Sequence, residues 1–183
     1  MYRSIRAQQN TMRNRESQSN NFLHRHSRVT AALLLIFIAA AAAAFCYLHC
    51  GWLTLTEPES GTVYARYFMH DGDMFSVGFI HSVNKSPLTD YYQVRDHSIY
   101  VVKTVYYGFG AGVQTEIEDG QTLEYGDDGS MIVSGFNRKI PDLRYIVGTV
   151  SDHTLTLRDG KEISLRDLCG RSAKVRFTYE KLF

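Results

Sequence analysis

From Val29 to Leu48 the chain runs for twenty residues without one charge, and beyond it polar and apolar positions alternate in short stretches. The uncharged run mixes strong helix formers with Leu, Ile and Phe, and its length suits one helix across the hydrocarbon core of a bilayer. After it, period-two alternation recurs at Phe75-Val77-Phe79, Leu155-Leu157, Ile163-Leu165 and Val175-Phe177-Tyr179. Asp71-Gly72, Asp119-Gly120, Asp128-Gly129 and Asp159-Gly160 separate such stretches, each a turn signal because Gly accepts positive φ. A 3.6-residue stripe is missing beyond Leu53, although Ser164 to Cys169 has room for one helical turn. The pattern predicts an all-β domain over 53–183, an antiparallel sandwich or open barrel of short strands, preceded by one N-terminal transmembrane helix over 29–48.

Two hairpins can be carried to register. A four-residue loop at Asn84 to Pro87 sets Val83 against Leu88, His81 against Asp90, Phe79 against Tyr92 and Val77 against Val94, all on one apolar face. A one-residue slip would instead set Val77 and Phe79 against Tyr91, Gln93 and Arg95. His81 and Asp90 are thus expected as cross-strand neighbours, with Cβ atoms about 4.5 to 5.5 Å apart. A three-residue loop at Asp159, Gly160 and Lys161 likewise matches Leu157 with Ile163 and Leu155 with Leu165.

Charge adds topology. Ahead of the apolar run, six arginines face the single acid Glu16, a net +5, which leaves −4 for the rest of a chain whose net charge is +1. Residues 1–28, poor in apolar side chains, read as a disordered basic tail on the cytoplasmic side, and the β-domain as periplasmic or extracellular. The expected location is the inner (cytoplasmic) membrane, in a single pass. Ala42-Ala43-Ala44 would satisfy a signal peptidase, but a 28-residue leader is long for one, so an uncleaved anchor is favoured. The acidic balance outside argues against nucleic acid as a partner. Cys46, Cys50 and Cys169 show no metal spacing; a Cys50–Cys169 bridge is conceivable, and free thiols are the simpler reading.

Candidate chemistry is sparse. A His81/Asp90 pair lets a carboxylate orient an imidazole, as in acid/base and metal-binding histidines, or merely satisfies two polar groups in a core. Ser82 is next to His81 on the same expected strand, so the two side chains should point to opposite faces, which disfavours a catalytic triad. Gly108, Gly110 and Gly112, within Gly108-Phe109-Gly110-Ala111-Gly112, either shape a tight bend or offer backbone N–H groups to an anion. Their spacing is not that of a dinucleotide site. Asp127-Asp128-Gly129-Ser130 reads as a hairpin turn, too short for a calcium loop. His49, His97 and His153 are assigned to surface or loop positions. No motif calls for a cofactor or metal, and no catalytic residue is assigned.

His81-Ser82-Val83, then Ser86-Pro87 and Asp90, then Tyr107-Gly108-Phe109-Gly110-Ala111-Gly112, resemble domain of unknown function family 1850 over about residues 75–179, with Leu143 to Leu157 as a looser block. Ser86 and Asp90 stand where that family usually has Thr and Glu. The resemblance implies a small bacterial protein with an N-terminal membrane segment, often encoded beside the permeases of TAXI-type TRAP transporters, and it carries over no established activity. It therefore suggests a non-enzymatic accessory of a solute transporter, with a permease or solute-binding protein as partner. The alternative is a stand-alone binding module for a small carboxylate or a metal ion.

Overall fold

The apolar run forms helix α1 (Val29–His49), 21 residues long, the one helix among the described residues with the length and composition to cross a membrane. The computed structural model describes residues 29–82, 85–108 and 116–182. The expected disordered tail at 1–28 lies outside them, as do Val83, Gly110 and Gly112.

Strand β1 (Cys50–Thr56) follows α1 directly, so regular pairing opens ahead of Leu53. Its partners are β2 (Val63–His70) on one side and β11 (Lys174–Lys181) on the other, with β8 (Leu143–Ile146) beyond β11, a four-stranded antiparallel sheet. The second sheet has seven strands. In spatial order they are β10 (Glu162–Ser164), β9 (His153–Thr156), β3 (Met74–Ile80), β4 (Pro87–Arg95), β5 (Ser98–Tyr106), β7 (Met131–Lys139) and β6 (Thr122–Tyr125), all antiparallel. The predicted all-β architecture is present as two sheets. The glycines of all four Asp-Gly pairs adopt positive φ, and the one short helix of this domain, α2 (Leu165–Cys169), starts at Ser164, whose side chain caps the Asp167 N–H.

The sheets share a core. Leu53 and Leu55 of β1 and Val175 and Phe177 of β11 meet Phe75, Val77, Tyr92, Val94 and Leu155 of the larger sheet. Phe75 stacks between layers on Phe177 at 6.0 Å. Four strands cover only part of seven. On the overhanging part of the larger sheet a second cluster gathers Leu88, Tyr106, Met131 and Val133, with Phe79 and Phe136 against it.

Both predicted registers need correction. The loop between β3 and β4 is Ser82 to Lys85, two residues earlier than expected, closed by His81 N–H to the Ser86 carbonyl and Lys85 N–H to the His81 carbonyl, each 2.9 Å. Every pair therefore moves by four: Val77 faces Asp90, Phe79 faces Leu88 and Phe75 faces Tyr92. Four is even, so the apolar face is the one expected. The shift has a packing cause, since it puts Phe75 on Tyr92 with rings 5.1 Å apart and leaves Phe79 beside His153 of β9. In the second hairpin the loop is Arg158 to Gly160, and Leu155 pairs with Ile163.

Candidate functional site

The uncovered face of the larger sheet forms one wall of a cleft of about 680 Å³, and the loop from β8 to β9 forms the other. At its floor lies Asp90. The residue interrupts the apolar series Leu88, Tyr92, Val94 on β4, which brings a carboxyl group onto a face otherwise built for burial. Its cross-strand partner is Thr104. That pairing depends on a bulge in β5 at Val102, which changes the inward set from Ile99 and Val101 to Thr104 and Tyr106.

Asp90 is surrounded by hydroxyls. Thr104 Oγ1 donates to Oδ1 at 2.8 Å and Tyr145 Oη donates to Oδ2 at 3.0 Å. The Tyr92 and Tyr145 hydroxyls are 2.6 Å apart, and because Tyr145 gives its proton to Asp90, Tyr92 donates to Tyr145. Burial pushes the Asp90 pKa above the ordinary carboxylate range, and the three hydroxyls only partly oppose this. Burial likewise raises both tyrosines, helped by the negative charge beside them, so they stay neutral donors. No ion pair to Asp90 forms among the described residues.

His153, assigned from sequence to the surface or a loop, is instead 8% exposed and lines the cleft. Its ring stacks on Phe79 at 4.7 Å. Nδ1 accepts the Gly148 N–H at 3.2 Å, which leaves Nε2 as the nitrogen that carries the proton. Burial lowers its pKa, against the raising effect of the Asp152 charge, and keeps the ring neutral. Gly148 belongs to the tight loop over the cleft, where a Cβ would overlap the Ser151 carbonyl oxygen. Arg166 braces that loop through its guanidinium on the Val150 carbonyl at 2.9 Å.

The mouth is basic and apolar. Lys85 and Arg138, both exposed, line it from opposite ends. Lys85 lies in the turn past the Ile80–Pro87 pair, with half-buried His81 and exposed Ile80. Arg138 lies across from Val101 on the other side of Asp90 along the strands, while exposed Val150 comes from the covering loop. Tyr106, Val133 and Phe136 supply the wall between mouth and floor.

The structure thus brings His81, Ser82 and Asp90 to one cleft without making His81 the partner of Asp90. The register places His81 four residues, about 13 Å along the strand, beyond the position opposite Asp90. Ser82 lies in the turn, not on the strand, so the opposite-face argument does not apply to it. Gly108 lies beyond the end of β5 without positive φ, and a Cβ there would meet open space, so its backbone does not require glycine. Sequence reasoning missed Thr104, Tyr145, Lys85, Arg138 and His153 as members of the site. For His153 a signal existed, since it alternates with Leu155 on the buried face of β9. Among the described residues, no three His, Cys, Asp or Glu side chains gather as a metal site would need, and the conceivable Cys50–Cys169 bridge does not form.

The sequence model of one family, described as "Domain of unknown function (DUF1850)", matches residues 75–165. That span contains every residue that lines the cleft, and Arg166, which braces its loop, comes directly after it. No curated protein and no solved structure matches the chain.

Proposed function

This chain belongs to the DUF1850 family, and from the cleft its sheets build we propose that it is a membrane-anchored, non-enzymatic binding module for a small organic carboxylate. One observation carries the reading: a cleft of about 680 Å³ has an apolar wall, a basic mouth and a few converging polar groups. That combination is the usual build of a small-molecule site. Lys85 and Arg138 offer positive charge to an anion, and His153 offers Nε2–H. Catalysis has little support, because the Asp90 hydrogen bonds go to hydroxyls and not to an imidazole that would serve as base. α1 supplies the anchor, and the arginine-rich tail favours an extracytoplasmic β-domain on an inner membrane.

The transporter setting belongs to the same proposal. A tethered module that captures a solute would serve a permease or its solute-binding protein, and the exposed Ile80 and Val150 at the mouth give such a partner an apolar contact. Calorimetry of the full chain in detergent micelles against hexanoate and 3-phenylpropanoate tests the binding role. Saturable heat that weakens in Lys85→Gln and Arg138→Gln supports it; absence of heat together with an unchanged melting point would overturn it. For the partner, purification of the anchored protein free of any permease or binding protein would count against the accessory role.

A further inference from the structure

A simple carboxylate leaves the floor of the cleft unexplained. Asp90 is a second negative group there, with its hydrogen bonds already arranged for an anion: Thr104 and Tyr145 donate hydroxyls to it, and Tyr92 backs Tyr145. A carboxylate has about four acceptor positions, so with two donors in place there is room for an incoming one. Burying such a group beside no cation is costly, and a cationic donor would remove that cost. The neighbouring wall suits one too, because Phe79, Tyr106 and Phe136 line the same space and aromatic faces attract ammonium groups. A plain amine fits poorly, however, since it must enter past Lys85 and Arg138. The polarity of the cleft is therefore negative at the floor, apolar between and positive at the mouth.

Resting on the carboxylate reading above, we propose that the ligand is an ω-amino acid, a zwitterion with its charges at opposite ends of the carbon chain, whose ammonium group seats on Asp90 while its carboxylate faces Lys85, the cation beyond Phe79 and Leu88. The aromatic and aliphatic wall takes the carbon skeleton, and both charges meet their complements. Binding is reversible and no bond is made or broken. His153 Nε2–H supplies a further donor, and Ser151 of the covering loop also lines the space.

Matched pairs of probes test this. The full chain in micelles is titrated calorimetrically with 5-aminopentanoate, 6-aminohexanoate and 4-(aminomethyl)benzoate, each against its deaminated partner: pentanoate, hexanoate and 4-methylbenzoate. The expected result is that at least one zwitterion binds 10-fold or more tightly than its partner, and that Asp90→Asn removes the difference. If the deaminated acids bind as well or better in every pair, the ammonium seat is overturned and the carboxylate reading stands. If no probe binds, both are overturned. Should Asp90→Asn fail to fold, the pairs measured on the unaltered chain decide alone.

Discussion

Replacing Tyr145 by Phe takes one oxygen from the floor of the cleft and leaves the ring, which contacts Phe79, His153 and Phe177 at centroid distances of 6.3, 5.6 and 6.0 Å. The lost hydroxyl donates to Asp90 Oδ2 at 3.0 Å and lies 2.6 Å from the Tyr92 hydroxyl. A hydrogen bond to a charged acceptor contributes about 1.5 to 3 kcal/mol, one between neutral groups about 0.5 to 1.5 kcal/mol. The cost of the substitution should therefore follow the charge on Asp90. In the parent, Asp90 holds its proton more tightly folded than unfolded, so stability is fully present below the unfolded carboxylate pKa and is lost as pH rises through the folded value. Removing Tyr145 Oη removes a donor to the ionised form, raises the folded pKa further and deepens that loss. Unfolding followed by the single tryptophan, Trp52 on β1, at pH 3.5 and pH 8 should show a small penalty in acid and about 2 kcal/mol in base, a melting point lower by roughly 5 to 10 °C. Equal penalties at the two pH values would refute the claim that the hydroxyls serve an ionisable carboxylate.

Other substitutions probe separate parts of the structure. His153 has a lowered pKa from burial, so its contribution is complete above its ordinary value of 6.5 and fades as pH falls through the folded value; His153→Leu should lack that acid-side decline, and an unchanged pH profile would exclude the buried neutral ring. Gly148→Ala forces a methyl group onto the Ser151 carbonyl and should cost about 1 to 3 kcal/mol, read as a lower melting temperature with weaker ligand binding; a neutral result would mean that the loop yields freely. In α1, the double change Leu35→Arg and Ile38→Arg adds about 2.5 to 3.5 kcal/mol per residue to insertion and should release the chain from membranes washed in alkaline carbonate. Retention of that variant in the pellet would deny the helix its anchoring role.

Faces were easier to read than registers. Val77, Phe79, Leu88, Asp90 and Tyr92 share a side because alternation fixes parity, and the real loop at Ser82 to Lys85 preserves parity while moving each pair by four. Which even register wins depends on β9, whose Leu155 and His153 lie opposite Val77 and Phe79. That pairing joins positions some 75 residues apart, and no local pattern announces it. The same limit hid Tyr145 and Thr104: the first arrives from the smaller sheet, and the second faces Asp90 only because the Val102 bulge changes parity midway along β5. Asp90 itself was legible as a lone acid in an apolar series. The Asp-Gly turns and the Ser164 cap were legible too, since their chemistry is local.

The central claim, that the uncovered face of the larger sheet is a binding site, is tested most directly by locating a bound carboxylate. Titrating isotopically labelled full chain in micelles with 3-phenylpropanoate should move the imidazole resonances of His81 and His153 and the guanidinium resonance of Arg138, saturably and together. The Trp52 indole, which does not line the cleft, should stay still. Unmoved imidazoles at saturating ligand, or shifts centred on Trp52, would contradict the account.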